Sequence, residues 1–338
     1  MKDKNLLISF LQVFGIILVV IGHSFVGSGH QNDIFIRKWI YSFHMPLFIF
    51  ISGYLLRYGI ECKKGAMSDI SLWGKKGFVY KKILRLLVPY LAISCIAYFP
   101  KAILSSFAIR SMDISFIGFM KMLLYPCNNI VGPLWFLPTL FLIFIIVVLV
   151  GCFVKGNRRS LQFLVVGVLL IHLFNPFHNI MFLYISGVFF YLFYFIFGYY
   201  FYYEKLGKTI AAYPIFFALL TFILSVVLLF LPVFWGKEVL TSVNGIFMSI
   251  ALGYLYVNYH CTFFQHLFGA SYAIYLFSYF PQVLSQQVLL RLTDVPWQVG
   301  TCLAIILGIY VPLLFYFWIV KHKNKPLGKV VAVLTGQG

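Results

Sequence analysis

Residues 42–54 of the chain have the sequence SFHMPLFIFISGY, in which a histidine stands near the start of a long apolar run. A second histidine, His23, lies near the far end of the preceding apolar run. Runs of about 20 apolar residues are long enough to cross the hydrocarbon core of a bilayer as helices. A titratable side chain is costly inside such a helix, so His23 and His44 indicate a functional role within a membrane.

The composition of the whole chain indicates the same class of protein. Of its 338 residues, 62% are hydrophobic and only 10% are charged. A soluble protein of this length would need charged helix faces between its apolar ones, and very few are present. The sequence therefore predicts an all-α polytopic integral membrane protein, with residues 1–338 forming a single transmembrane domain.

About ten apolar runs are candidates for transmembrane helices. Their approximate limits are residues 6–26, 38–59, 79–103, 133–154, 160–176, 180–203, 210–233, 239–258, 267–290 and 298–320. Between the third and fourth runs, residues 126–133 (PCNNIVGP) combine proline, glycine and asparagine. This segment predicts a re-entrant or interfacial element, because asparagine is costly in lipid unless it lines a cavity or the interface.

The distribution of charge predicts the orientation of the chain. There are 26 Lys and Arg against eight Asp and Glu, which gives a net charge of +18. The cations concentrate in alternate loops, namely at the N-terminus, in residues 57–85, 155–159 and 205–208, and in the tail 321–338. By the positive-inside rule these loops and both termini are cytoplasmic, as in a multi-pass protein of the cell membrane. The positive charge therefore predicts contact with membrane lipids. The sequence contains no nucleic-acid-binding motif.

Helix geometry predicts the depth of the two histidines. Counted from Asn5, His23 lies about 27 Å along the first helix at 1.5 Å per residue, near the outer surface. His44 begins the returning helix, so the two imidazoles should lie at a similar depth and near each other. The other histidines within or beside apolar runs are predicted to be structural groups with hydrogen bonds. They are His172, His178, His260 and His266.

One face of the first helix combines polar and apolar residues at helical spacing. It carries Ser9, Gln12, Ile16, Val19 and His23. We expect this face to line a channel for an elongated ligand. The six cysteines are scattered and form no Cys-x-x-Cys pair, so neither a metal site nor a disulfide framework is predicted.

Five blocks of the sequence occur in an order that is typical of one known family. They are residues 15–24 (GIILVVIGHS), 43–54 (FHMPLFIFISGY), 82–90 (KILRLLVPY), 132–137 (GPLWFL) and 271–276 (SYAIYL). Together they resemble the acyltransferase-3 family of integral-membrane O-acyltransferases, and they extend from the first predicted helix to the ninth.

The resemblance implies transfer of an acyl group, commonly acetyl, from cytoplasmic acyl-CoA to a hydroxyl group of a cell-envelope carbohydrate. Acyl-CoA is then a donor substrate, and no cofactor is permanently bound. The expected catalytic residues are His23 and His44. The expected donor-binding residues are Gln12, Lys81, Lys82 and Arg85. The expected cavity- or acceptor-binding residues are Ser52, Gly53, Asn128, Trp135, Tyr275 and Ser278.

Two positions depart from the family pattern. Gln12 stands where many members have arginine, and Ser278 stands where many have histidine. A glutamine can donate to a pantetheine amide but cannot neutralise a phosphate, so donor binding must depend on other cations.

Several of these residues can also be explained by structural roles alone. The lysines of residues 57–85 fit positive-inside topology and attraction to anionic lipid as well as donor binding. Ser52 and Gly53 fit helix packing as well as the shaping of a cavity. Trp135 fits an interfacial anchor as well as a substrate-stacking wall.

The chemistry of the predicted reaction assigns a role to His23. A sugar hydroxyl is a weak nucleophile at neutral pH, and a neutral imidazole can accept its proton during attack on a thioester carbonyl. We therefore predict that His23 is the general base and that His44 orients it or contacts the substrate. Two other classes stay open, namely an exporter or flippase of a polysaccharide or small metabolite, and a non-catalytic ligand-binding relative. The helices have few acidic residues for ion coupling, which favours the enzyme.

Overall fold

The computed structural model describes residues 2–25, 31–63, 65, 69–74, 77–103, 115–153, 157–292 and 296–337. These residues form helices and connecting turns, without a β-strand among them. The α-helices are α1 (Lys2–Ser24), α2 (Gln31–Cys62), α3 (Phe78–Lys82), α4 (Val88–Ile103), α5 (Phe116–Leu124), α6 (Phe136–Phe153), α7 (Arg158–Phe174), α8 (Ile185–Tyr203), α9 (Gly207–Ala212), α10 (Pro214–Phe230), α11 (Lys237–Asn258), α12 (Ser271–Phe277), α13 (Tyr279–Leu292), α14 (Trp297–His322) and α15 (Pro326–Leu334).

Seven helical segments of the described chain are long and apolar enough to cross a membrane. They are Leu6–Ser24, Phe35–Cys62, Phe78–Phe99, Gly132–Gly151, Phe182–Tyr203, Lys237–Asn258 and Trp297–His322. Each coincides with one of the predicted runs, which confirms the prediction of an all-helical, polytopic membrane protein. The count of ten helices and the cytoplasmic termini stay predictions.

The other three predicted runs form shorter helices. The fifth and seventh runs correspond to α7 and α10, which have 17 residues each. The ninth run is divided at Ser278 into α12 and α13. Pro281 explains this division, because it lacks the N–H that would bond to the carbonyl of Phe277.

Large apolar side chains are exposed along the helices, as expected for a protein in lipid. On α10, for example, Phe216, Leu219 and Ile223 are each 60% exposed. In water a patch of this kind would favour aggregation, whereas acyl chains cover it without cost.

The chain divides into two compact units. The first contains Met1–Gly59 and Tyr194–Tyr316, and the second contains Ile60–Phe193 and Phe317–Gly338. In the first unit, α11 packs against both α1 and α10. Leu18, Ile40, Phe43 and Met248 form a buried cluster there. A buried amide links α10 to α11, because Asn244 donates to the Thr221 carbonyl at 2.9 Å.

Two glycines bring the backbones of α2 and α8 into close contact within the first unit. A Cβ atom on Gly53 would collide with the carbonyl oxygen of Phe195, and one on Gly198 would collide with that of Phe50. Small residues of this kind allow membrane helices to approach closely and gain dispersion energy. Gly53 and Gly198 therefore fix the packing of the helix that carries His44.

In the second unit, α3 and α4 are joined by a π-helical segment, Ile83–Leu87. This segment packs against α6, and α15 packs against α4. The hydroxyl of Tyr90 on α4 donates to the carbonyl of Leu123 at 2.9 Å, which fastens α5 to α4. Two 3-10 turns, Pro126–Asn128 and Gly132–Trp135, interrupt the α-helices before α6. The re-entrant or interfacial position of this segment stays a prediction.

Candidate active site

His23 lies in the last turn of α1, half-buried, with one ring nitrogen next to a tyrosine of α2. Its Nδ1 atom is 3.3 Å from the hydroxyl oxygen of Tyr41. The same hydroxyl donates to the carbonyl of Gly22 at 3.1 Å. The last four carbonyls of an α-helix have no partner within the helix, so Tyr41 satisfies one of them and contacts His23 at the same time.

His44 lies one turn after Tyr41 on α2 and is only 5% exposed. Its Nδ1 donates to the carbonyl of Ile40 at 2.8 Å. The Tyr41 ring lies 5.7 Å from that of His23 and 5.1 Å from that of His44, measured between centroids. The structure thus brings the rings of both histidines close to the ring of one tyrosine. We call His23, Tyr41 and His44 the histidine region.

Two glutamines of α13 hold the end of α1 in this region. The amide nitrogen of Gln282 donates to the Val20 carbonyl and to the Ser24 hydroxyl, at 2.8 Å each. The amide nitrogen of Gln286 donates to the Ser24 carbonyl at 3.0 Å. Because these bonds flank His23 on both sides along the chain, they limit the movement of the turn that carries it.

The predicted channel face of α1 is packed in its middle. Ile16 and Val19 are 0% and 3% exposed, while Ser9, Gln12 and His23 are partly accessible. The prediction of an open lining from Gln12 to His23 is therefore wrong. A donor lying along this face would have to displace both apolar side chains.

Four other predicted site residues lie in the first unit and have mainly structural contacts. Ser52 donates to the Phe48 carbonyl within its own helix, at 2.9 Å. Gly53 is buried against the backbone of Phe195 and leaves no space for a cavity, so packing is its role. Tyr275 and Ser278 are buried, on α12 and at its junction with α13, and both helices pack against α1.

The cations predicted to bind the donor lie in the second unit, on and around the π-helical segment. Lys81 and Arg85 are exposed. The ammonium group of Lys82 instead lies 3.4 Å from the centroid of the Phe144 ring and 5.2 Å from that of Phe78. A cation over an aromatic face is stabilised by the ring quadrupole, so Lys82 has a structural role of its own. We call Lys81, Lys82 and Arg85 the cationic segment; Lys64, Lys75 and Lys76 of the same basic stretch lie outside the described residues.

The remaining two predicted residues flank the 3-10 turns of the second unit. Asn128 is exposed, whereas its neighbour Asn129 is buried and donates to the Ser94 hydroxyl at 2.8 Å. Asn129 therefore fastens the turns to α4, and the cavity or acceptor role of Asn128 stays a prediction. Trp135 is half-buried and stacks on Tyr191 with 5.3 Å between the ring centroids.

The four histidines that were predicted to be structural differ in burial. His172 is buried and donates to the carbonyl of Phe190 at 2.6 Å, as the structural reading predicts. His178 is exposed but also has the predicted hydrogen bond, from its Nδ1 to the carbonyl of Asn175 at 3.2 Å. His260 and His266 are exposed. Within the described residues, no group of three or more His, Cys, Asp or Glu side chains is placed to hold a metal ion.

Tyr41 and Gln282 are not among the residues predicted for the site, although the sequence contains a recognisable signal for both. Tyr41 precedes His44 by three residues and therefore shares its helix face. Ser278, Gln282, Ser285 and Gln286 recur at helical spacing as a polar stripe in an apolar run. A polar stripe at membrane depth predicts partners on a neighbouring helix, and here that helix is α1.

Comparison with known families agrees with the helical fold and the sequence blocks. A family model described as an acyltransferase domain matches residues 5–317, nearly the whole chain. The molecule is thus, by class, a multi-pass membrane acyltransferase. The chain belongs to the acyltransferase-3 family. No curated protein and no solved structure matches it.

Proposed function

We propose that the chain transfers an acetyl group from acetyl-CoA to a hydroxyl group of a cell-surface or exported glycan, with His23 as the general base. The observation that carries this proposal is the histidine region. A half-buried imidazole has one ring nitrogen next to the Tyr41 hydroxyl, so its other nitrogen can serve a substrate. Titratable side chains inside transmembrane helices are costly and mark functional sites, so this arrangement supports a role of His23 in the reaction.

The proposed reaction proceeds by direct attack. The acceptor hydroxyl oxygen attacks the thioester carbonyl while its proton moves to Nε2 of His23. The carbon–sulfur bond then breaks, and the proton passes from Nε2 to the departing sulfur, which leaves as the thiol of coenzyme A. An imidazole suits both steps because it can accept and return a proton near neutral pH.

Donor binding is proposed for the exposed members of the cationic segment, Lys81 and Arg85. Coenzyme A carries several phosphate charges, and arginine and lysine bind phosphates through charge-assisted hydrogen bonds. These two cations lie one helical turn apart and are both exposed. Replacement of Arg85 by alanine should weaken acetyl-CoA binding, measured by calorimetry on the protein in detergent. An unchanged affinity would mean that Arg85 serves only the membrane topology of the chain.

The decisive experiment measures transfer of labelled acetyl groups from acetyl-CoA into envelope glycans. Membranes containing the native chain are compared with membranes containing His23→Ala at equal abundance. We expect label with the native chain and a loss of at least a hundredfold with His23→Ala, as for removal of a general base. His266→Ala is the matched control, because His266 is exposed and stacks on Tyr310 in the same unit.

The outcomes separate the classes of protein. Transfer that persists in His23→Ala would refute the role of His23. If neither protein transfers label while glycan crosses the membrane, the chain acts as an exporter or flippase. If the native chain does transfer label, the glycan fraction that carries it identifies the acceptor among lipopolysaccharide side chain, capsule, exopolysaccharide, peptidoglycan and a small glycoside.

A further inference from the structure

We infer that Tyr41 is a positioning residue that fixes the orientation and the tautomer of His23. The inference rests on the proposed function, in which His23 is the base, and it identifies the group that prepares this base. Tyr41 itself contacts neither substrate nor reacting atoms in this scheme.

The hydrogen bonds of the Tyr41 hydroxyl define the tautomer. The hydroxyl has one proton and lies 3.1 Å from the Gly22 carbonyl oxygen and 3.3 Å from Nδ1 of His23. A carbonyl oxygen only accepts, so the proton of Tyr41 is directed to Gly22. The phenolic oxygen then accepts a hydrogen bond from Nδ1–H of His23. The lone pair of the imidazole is consequently on Nε2, which is the nitrogen that must take the acceptor's proton.

His44 has the same tautomer for an independent reason. Its Nδ1 is 2.8 Å from the carbonyl oxygen of Ile40, which again can only accept. Nδ1 of His44 is therefore protonated, and its Nε2 carries the lone pair. Both rings of the histidine region thus have their lone pair on Nε2. The Nδ1–H group is bound by the Tyr41 side chain in His23 and by the Ile40 backbone carbonyl in His44.

The position of Tyr41 depends on a glycine of α1. A Cβ atom on Gly22 would lie 2.7 Å from Cε1 of Tyr41, closer than such atoms approach in proteins. The glycine therefore lets the ring lie against the backbone of α1, where its hydroxyl reaches both partners. The guanidinium of Arg37, one turn earlier on α2, is 6.0 Å from the centroid of the Tyr41 ring and adds a weak cation–π contact.

Tyr41 also has a role during the reaction under this scheme. When Nε2 of His23 accepts the proton, the ring becomes an imidazolium whose Nδ1–H still donates to the phenolic oxygen. The bond to a charged donor is stronger than that to a neutral one, so Tyr41 stabilises the state that forms during attack. Tyr41 keeps its own proton throughout.

Kinetics of Tyr41→Phe test the inference, since this change removes the hydroxyl and keeps the ring. We expect kcat to fall about tenfold, with an unchanged KM for acetyl-CoA and an unchanged amount of folded protein. The matched control is Tyr310→Phe, because Tyr310 is 47% exposed and its ring lies 6.2 Å from that of a histidine, His266. Tyr310→Phe should retain the native kcat.

A second measurement reads the tautomer directly, without any activity. Protein labelled with nitrogen-15 in its histidines is studied by nuclear magnetic resonance, and the His23 signals are those missing from His23→Gln. We expect a protonated Nδ1 and an unprotonated Nε2 in the native chain, and a mixture of tautomers in Tyr41→Phe. A protonated Nε2 in the native chain, or a native kcat in Tyr41→Phe, would overturn the inference. Acetyl transfer that survives His23→Ala would instead refute the proposed function.

Discussion

The histidine region of the first unit and the cationic segment of the second unit use polar side chains in different ways. In the histidine region, each imidazole has its Nδ1 atom next to an oxygen, and the helix end that carries His23 is held by Gln282 and Gln286. In the cationic segment, Lys81 and Arg85 are exposed, and Lys82 packs on the Phe144 ring. Proton transfer needs reacting groups held in place, whereas binding of phosphates needs cations that the ligand can reach. The contrast therefore matches the two tasks proposed for these regions.

The largest effect should follow from loosening the helix that carries the histidine region. Gly53→Ala places a Cβ atom against the carbonyl oxygen of Phe195, and a backbone atom cannot move aside cheaply. We expect a loss of about 3 kcal/mol in the free energy of unfolding, measured by thermal unfolding in detergent. Gly59→Ala in the same helix is the control, because a Cβ there meets no atom within 4 Å. Equal stability of the two variants would contradict the close packing of α2 on α8.

The next largest effect concerns the attachment of α1 to α13. Gln282→Leu leaves the Ser24 hydroxyl without its donor and removes a bond to the Val20 carbonyl. The expected cost is about 2 kcal/mol of stability, accompanied by slower acetyl transfer because the turn of His23 is less restrained. Gln298→Leu, at an exposed position of α14, should change neither quantity. If both variants behave like the native chain, the amide bonds of α13 do not restrain His23.

A third prediction distinguishes the roles of the Nδ1 and Nε2 atoms of His44. Asparagine can place its amide nitrogen close to the position of Nδ1, so His44→Asn should keep the bond to Ile40 and the thermal stability. It removes Nε2, and we expect transfer to fall about tenfold. His44→Gln, whose amide lies nearer to the position of Nε2, should retain more activity. A fully active His44→Asn protein would restrict His44 to a structural role and weaken the contrast between the two regions.

The smallest effects are expected in the cationic segment, where two adjacent lysines form a natural pair. Lys82→Met removes the cation over the Phe144 ring and should lower the free energy of unfolding by about 1 kcal/mol. Lys81→Met should leave stability unchanged, because Lys81 is exposed, but weaken acetyl-CoA binding about threefold. Unfolding curves and calorimetry distinguish these results. The reverse pattern would make Lys82 the donor ligand and Lys81 the structural residue.

The sequence predicted the class of protein and the neighbourhood of the two histidines because both depend on local rules. Lipid requires long apolar runs, and helix length alone brings His23 and His44 to a similar depth. The partners of these histidines depend on how distant helices pack. Gln282, for example, bonds to a carbonyl 262 residues away in the chain. Composition also could not distinguish Asn128 from Asn129, since the dihedral angles of a 3-10 turn decide which of two adjacent side chains is buried.

The π-helical segment Ile83–Leu87 has a consequence for comparing this chain with its relatives. A π-helical turn contains one residue more than an α-helical turn, so it rotates everything after it by about 100° relative to an uninterrupted α-helix. Lys82 before the segment and Tyr90 after it therefore point in directions that a regular helix would not combine. A relative that lacks the extra residue needs a single-residue gap in its alignment here. Such a gap would indicate that the cations before the segment face a different direction relative to α4, even where the flanking residues are identical.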